Sequence, residues 1–73
     1  LPSVQNEKMV HVNDRNVPII EDVLPAKEIL ERAGFVPGEF ELRMPAEEGK
    51  RVKEDEQVRI ENNMRLDTVL KPT

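Results

Sequence analysis

The chain of 73 residues contains no cysteine, and His11 is its single histidine. A chain this short can build only one small hydrophobic core, so many domains of this size are stabilised by disulfides or by a structural metal. A disulfide framework needs pairs of cysteines, and a structural zinc site needs several thiolate or imidazole ligands. We therefore expect a single domain held together by packing alone, with no metal and no cofactor.

The composition points to proteins as partners. Hydrophobic residues make up 37% of the chain and charged residues 36%, as is typical of a small folded domain with a well-solvated surface. The net charge of −4 opposes binding to nucleic acid. No apolar run is long enough to cross a bilayer, and the first residues do not resemble a signal peptide. The sequence predicts a cytoplasmic monomer, and the start at Leu1 instead of methionine suggests part of a longer product.

Two β-prone runs, residues 9–12 and 17–20, are separated by Asn13-Asp14-Arg15-Asn16 and predict a β-hairpin. Because side chains alternate between the two faces of a strand, one face of this hairpin should be buried. That face carries Val10, Val12, Val17 and Ile19. Pro18 cannot donate a backbone hydrogen bond, so the second strand should lie at the edge of a sheet.

A helix is predicted from Pro25 to Ala33, after an acidic loop at residues 21–23. Its apolar face comprises Ala26, Ile29, Leu30 and Ala33. Gly34 is placed to end the helix in the left-handed conformation, with Phe35 packing back on Leu30. The N-terminus is the weak point, because Leu24 offers no side-chain acceptor for the first N–H groups.

Four further segments complete the predicted fold. Phe40, Leu42 and Met44 alternate with charged residues in a third strand that Pro45 ends. The charge pattern of residues 46–57 predicts solvated turns and allows one short strand around Val52. Val58 and Ile60 alternate next, and residues 64–70 form the final strand. The predicted boundaries are a disordered or linker segment over 1–7, a domain over 8–70 and a flexible tail over 71–73.

The sequence offers no catalytic constellation. The only side-chain hydroxyls are Ser3, Thr68 and Thr73, and His11 is expected on the outer side of the first strand. The carboxylates between residues 47 and 56 lack the ligand spacing of a calcium loop and are typical of a solvated turn. Gly49-Lys50 lacks the upstream glycine of a phosphate-binding loop. We therefore expect that the chain is not an enzyme.

The order of a hairpin, a helix and further strands is that of the β-grasp, an α+β fold in which one helix packs across a mixed four- to five-stranded sheet. Two segments carry the resemblance: residues 11–18, HVNDRNVP, and residues 27–42, KEILERAGFVPGEFEL. The more distinctive is the second, with EILERAG followed by Pro-Gly-Glu-Phe. Together with residues 55–60 and 63–69, these two segments resemble the bacterial multi-ubiquitin family of ubiquitin-like domains. The resemblance spans about residues 10–70.

The resemblance implies a ubiquitin-like protein modifier, or one unit of a tandem modifier. Its implied partners are an activating enzyme, a conjugating-enzyme-like protein and a JAB-type metalloprotease encoded in the same operon. Two features depart from the expected pattern. Leu24-Pro25 stands at the helix entry in place of a hydroxyl cap. The tail Lys71-Pro72-Thr73 has no Gly-Gly, which modifiers of the eukaryotic type need for activation of the C-terminal carboxylate.

In a β-grasp the first, third and last strands are neighbours, so their outward residues should share one surface, which we call the outer sheet face. Its predicted members are Met9, His11, Glu41, Arg43, Arg65, Asp67 and Val69. The leading hypothesis is that partners bind this face and the tail. The alternative is an interaction or scaffold domain of the same fold that is never conjugated. A sulfur carrier of this fold would also need a terminal Gly-Gly.

Overall fold

The computed structural model describes residues 7–72, and within them the chain forms seven β-strands and one α-helix. Of the N-terminal segment expected over residues 1–7, only Glu7 lies within the described residues, and Thr73 of the expected tail lies outside them. The strands are β1 (Lys8–Val12), β2 (Arg15–Ile19), β3 (Val23–Pro25), β4 (Phe40–Met44), β5 (Lys50–Val52), β6 (Gln57–Arg59) and β7 (Met64–Leu70). The helix is α1 (Ala26–Arg32), and a 3₁₀ turn covers Pro45–Glu47.

The N-terminal hairpin is confirmed, with a tighter turn than the sequence suggested. Val12 pairs with Arg15, so Asn13 and Asp14 alone form the turn, and β2 begins two residues earlier than expected. Asn13 adopts a positive φ of 55°, a conformation that asparagine tolerates better than most residues.

The main sheet has five strands in the described chain, in the order β2-β1-β7-β4-β5. β7 runs parallel to β1 and antiparallel to β4, so the sheet is mixed. Pro18 lies on β2 at the edge of the sheet, as predicted. This order, with one helix packed on the sheet, is the α+β arrangement of the β-grasp.

The core lies between α1 and the inward face of the sheet. All four hairpin residues predicted to be buried are in it, and Leu42 and Leu66 join them from β4 and β7. Ile29 and Leu30 enter the core from the helix and are fully buried. Burial of apolar surface is therefore the main source of stability, because no polar or charged residue among residues 7–72 is buried.

The C-terminus of α1 has the predicted geometry. Gly34 has a φ of 92°, the N–H of Phe35 donates to the carbonyl of Leu30 at 2.9 Å, and the N–H of Gly34 donates to the carbonyl of Glu31 at 3.0 Å. These are the two hydrogen bonds of a Schellman motif. Arg15 reinforces this end of the helix, since its Nη1 donates to the carbonyl of Ala33 at 2.8 Å.

At the helix N-terminus, backbone groups take the place of a side-chain cap. Pro25 is the residue before the first helical turn, has an extended conformation and makes no side-chain cap bond. The N–H of Ala26 donates to the carbonyl of Glu56 at 3.0 Å, and the N–H of Lys27 donates to that of Glu54 at 2.9 Å. The loop between β5 and β6 therefore supplies the acceptors that Leu24 lacks.

One part of the sequence prediction was wrong. Val23 was assigned to an acidic loop and Pro25 to the first helical turn, whereas both belong to β3. β3 pairs with β6 in a separate two-stranded sheet, with Leu24 opposite Val58. The helix itself is one residue shorter at each end than predicted, running from Ala26 to Arg32.

Arg32 joins the helix to the loop that precedes β3. Its two terminal nitrogens donate to the two carboxylate oxygens of Glu21 at 2.9 and 2.8 Å. Hydrogen bonding to Arg32 lowers the pKa of Glu21 to about 2, well below the ordinary value of 4.5.

This pair should contribute to the acid dependence of stability. Because the pKa of Glu21 is lowered in the folded state, its contribution is present above about pH 4.5 and is lost as the pH falls towards 2. A carbon-detected NMR titration of the Glu21 carboxyl should show a midpoint near 2. Arg32→Gln should return it towards 4.5, whereas Lys27→Gln on the same helix should leave it low. An unchanged midpoint in Arg32→Gln would refute the assigned cause.

Candidate protein-binding face

The structure places all seven predicted residues of the outer sheet face on one side of the five-stranded sheet. The register carries them across three adjacent strands, since His11 pairs with Arg65, Glu41 with Val69, and Arg43 with Asp67. Alternation along each strand turns these residues away from the core, which lies on the side of Val10 and Leu42. Because α1 packs on that opposite side, it leaves the outer sheet face uncovered.

Three further residues belong to the outer sheet face. Arg51 pairs with Arg43, Asn16 with His11, and Pro18 with Met9, so each lies on the same side as its partner. The prediction missed Arg51 because residues 46–57 read as solvated turns. Alternation from Val52, which is buried, was the available signal that its neighbour points outward.

His11 is held between two asparagine side chains. Its Nδ1 lies 2.7 Å from Oδ1 of Asn16, and its Nε2 lies 3.5 Å from Oδ1 of Asn63. The first contact is across the β1–β2 hairpin and the second is with the turn before β7. The imidazole therefore lies between β2 and the turn before β7 on the outer sheet face.

The carboxylates of the outer sheet face are paired with arginines of the same face. Nη2 of Arg43 contacts Oδ2 of Asp67, and Nη1 of Arg51 lies 3.7 Å from Oε1 of Glu41. Nε of Arg43 is buried without an acceptor in the described structure. Arg65 is exposed and makes no ion pair with any of residues 7–72. It is therefore the charged group of this face that is free to contact a partner.

The expected flexible tail is partly tied to the domain. The N–H of Lys71 donates to the carbonyl of Glu39 at 2.9 Å, and its ammonium lies 3.4 Å from Oε1 of Glu54. Pro72 is exposed and has no backbone N–H to continue this pairing. Among the described residues, Pro72 is therefore the first one after the contacts that Lys71 makes with the domain.

A groove of about 590 Å³ opens at the end of the sheet where β7 begins. Its apolar lining includes Met44, Val52, Val58 and Met64. Its charged lining is balanced, with three basic side chains (Lys50, Arg59 and Arg65) and three acidic ones (Glu47, Glu56 and Glu61). The groove therefore shows no preference for a ligand of either charge.

Residues 7–72 contain neither a cluster of metal-ligating side chains nor a membrane-spanning helix. No three side chains of the metal-ligating types lie close enough together to hold an ion. No helix in this part of the chain has the length and apolar character needed to cross a membrane.

Known family models, curated proteins and solved structures include none that matches this chain. The resemblance to the multi-ubiquitin family therefore stays a prediction from the residues quoted above.

Proposed function

We propose that this domain is a ubiquitin-like protein modifier, or one unit of a tandem modifier, and that partner proteins recognise it through the outer sheet face. The observation that carries the proposal is the one-sided packing of the sheet. α1 covers the face with Val10 and Leu42, while the opposite face is open and carries Arg65 on its central strand, β7. A fold does not determine a function, so the chemistry of this surface is the stronger support.

The outer sheet face has the mixed character of a protein-binding surface. Met9 and Val69 are half-buried and Pro18 is exposed, so apolar groups lie beside the arginines of the same face. Protein interfaces combine apolar contacts with arginine in this way and need no bulk hydrophobic patch. By the family resemblance, the proteins that would use this surface are an activating enzyme, a conjugating-enzyme-like protein and a JAB-type metalloprotease.

A specific observation favours the alternative of a scaffold domain that is not conjugated. The backbone N–H of Lys71 donates to the carbonyl of Glu39 at 2.9 Å, so the chain is held against the domain up to this residue. An activating enzyme would need an extended segment that it can draw away from the domain, and the fixed φ of Pro72 restricts the backbone directly after Lys71. The two candidate functions share the binding surface and differ in whether a covalent bond forms.

The test is to express the full natural gene product with an N-terminal tag in its own cells and to isolate it under denaturing conditions. Mass spectrometry should then find isopeptide-linked adducts. Met9→Gln combined with Val69→Thr keeps the side-chain shapes and removes apolar contact area from the outer sheet face. We expect this double variant to lower the yield of adducts roughly fivefold or more, the effect of losing about 1 kcal/mol of contact.

Val36→Thr is the matched control, because Val36 is 55% exposed and lies outside the outer sheet face. Val36→Thr should form adducts in the same yield as the wild-type domain. If the wild-type domain forms no adduct, the modifier function is excluded. If native complexes then still depend on Met9 and Val69, the scaffold function takes its place.

A further inference from the structure

We propose that the outer sheet face binds an acidic segment of a partner protein, with Arg65 pairing with one of its carboxylates. This inference rests on the proposed function, because it specifies the chemistry of the partner at the same face.

Charge is distributed unevenly over the domain. The outer sheet face carries three arginines, Arg43, Arg51 and Arg65, against the two carboxylates of Glu41 and Asp67, so its charge is +1 with His11 neutral. The whole chain carries −4, which leaves −5 for all other surfaces. A partner with an acidic contact surface is therefore attracted to this face and repelled by the others, which favours one docking orientation.

The position of Arg65 makes it the contact for that partner. β7 is the central strand of the sheet, and Arg65 is exposed on it. Glu41 and Asp67 would repel an acidic partner, but each is paired with an arginine of the same face. The guanidinium of Arg65 can form two parallel hydrogen bonds with a carboxylate without giving up an existing ion pair.

The observations favour protein carboxylates over nucleic-acid phosphates. The chain has no Trp or Tyr, and its two phenylalanines, Phe35 and Phe40, both pack against the core, so neither phenyl ring is available on the outer sheet face to stack a base. Met9, Pro18 and Val69 instead suit apolar side chains placed between the acidic residues of the partner.

The probe is a synthetic peptide, Glu-Asp-Leu-Ile-Asp-Glu-Leu, titrated into ¹⁵N-labelled domain, with a matched peptide that has lysine at each acidic position. We expect the acidic peptide to shift the backbone amides of His11, Arg65 and Val69 with a Kd on the order of 1 mM or tighter. The basic peptide should leave them unchanged. Raising the salt concentration should weaken binding of the acidic peptide.

Arg65→Glu should weaken this binding on the order of tenfold, and Arg65→Gln should weaken it less. The matched control is Lys53→Glu, because Lys53 is exposed, lies outside the outer sheet face and makes no ion pair with residues 7–72. Both charge reversals change the net charge by the same amount. A larger loss of peptide affinity in Arg65→Glu than in Lys53→Glu would therefore indicate a direct contact at Arg65. Each variant's ¹H–¹⁵N spectrum reports whether it is folded.

Three results would overturn the inference: equal effects of Arg65→Glu and Lys53→Glu, shifts concentrated at Met44 and Met64 in the groove, or no shifts with the acidic peptide. A single-stranded DNA oligonucleotide that shifts the face when the acidic peptide does not would also overturn it. The proposed function has a separate test. If adducts form and depend on Met9 and Val69 while the acidic peptide fails, only the partner chemistry is wrong.

Discussion

Leu30→Ala should lower the free energy of unfolding by about 2–5 kcal/mol, a large part of the stability of a domain this small. Leu30 is fully buried between α1 and the sheet, and Ile29 is the only other large aliphatic residue that the helix contributes to the core. Truncation to alanine removes apolar contacts and leaves a cavity that the surrounding strands can fill only in part. Chemical denaturation followed by circular dichroism measures the change.

Glu31→Ala is the control for helix propensity, because Glu31 follows Leu30 on the same helix and is exposed. Its effect should stay within about 0.5 kcal/mol. If Leu30→Ala has an equally small effect, the helix face described here does not form the core.

Gly34→Ala should destabilise the domain by about 1–3 kcal/mol. Gly34 has a φ of 92°, which strains any residue with a Cβ atom. A Cβ atom at this position would also lie 2.5 Å from Nη1 of Arg15. Arg15 would then have to move, with loss of its hydrogen bond to the carbonyl of Ala33 and of its position 5.3 Å above the ring of Phe35.

Gly38→Ala is the matched control, because a Cβ atom there has no neighbour within 4 Å. It should leave stability within about 0.5 kcal/mol. A double-mutant cycle with Arg15→Ala separates the two causes, since Gly34→Ala in that background retains only the backbone strain. Equal costs for Gly34→Ala and Gly38→Ala would contradict the conformational requirement at Gly34.

Elements with local signals were predicted well from the sequence. The hairpin follows from alternation of Val10, Val12, Val17 and Ile19 around a turn, and all four are buried. The helix C-terminus follows from Gly34, because glycine adopts positive φ at little cost. In each case the residues that decide the structure lie within a few positions of one another.

Elements that depend on distant backbone groups were missed. β3 has only three residues, and its register with β6 pairs Leu24 with Val58, more than thirty positions away. The helix N-terminus looked uncapped because its acceptors are the carbonyls of Glu54 and Glu56. A carbonyl acceptor can come from any residue type, so no side-chain pattern indicates it.

The sequence predicted which residues share the outer sheet face, but not which of their side chains pair with one another. Alternation and the expected strand order bring Arg43, Arg65 and Asp67 onto the outer sheet face. The pairing of Arg43 with Asp67, which leaves Arg65 unpaired in the described structure, depends on the register of β4 against β7. This register could not be deduced from the sequence, because β5 and β6 lie between β4 and β7 in the chain and no single turn joins the two paired strands.

The two edge strands of the five-stranded sheet affect how readily copies of the domain aggregate. β2 exposes one edge, where Pro18 has no N–H to offer, and β5 forms the other with only three residues, including Lys50 and Arg51. Short, charged or proline-containing edges discourage strands of neighbouring molecules from joining the sheet. These edges should therefore disfavour edge-to-edge aggregation when many copies of the domain are crowded together.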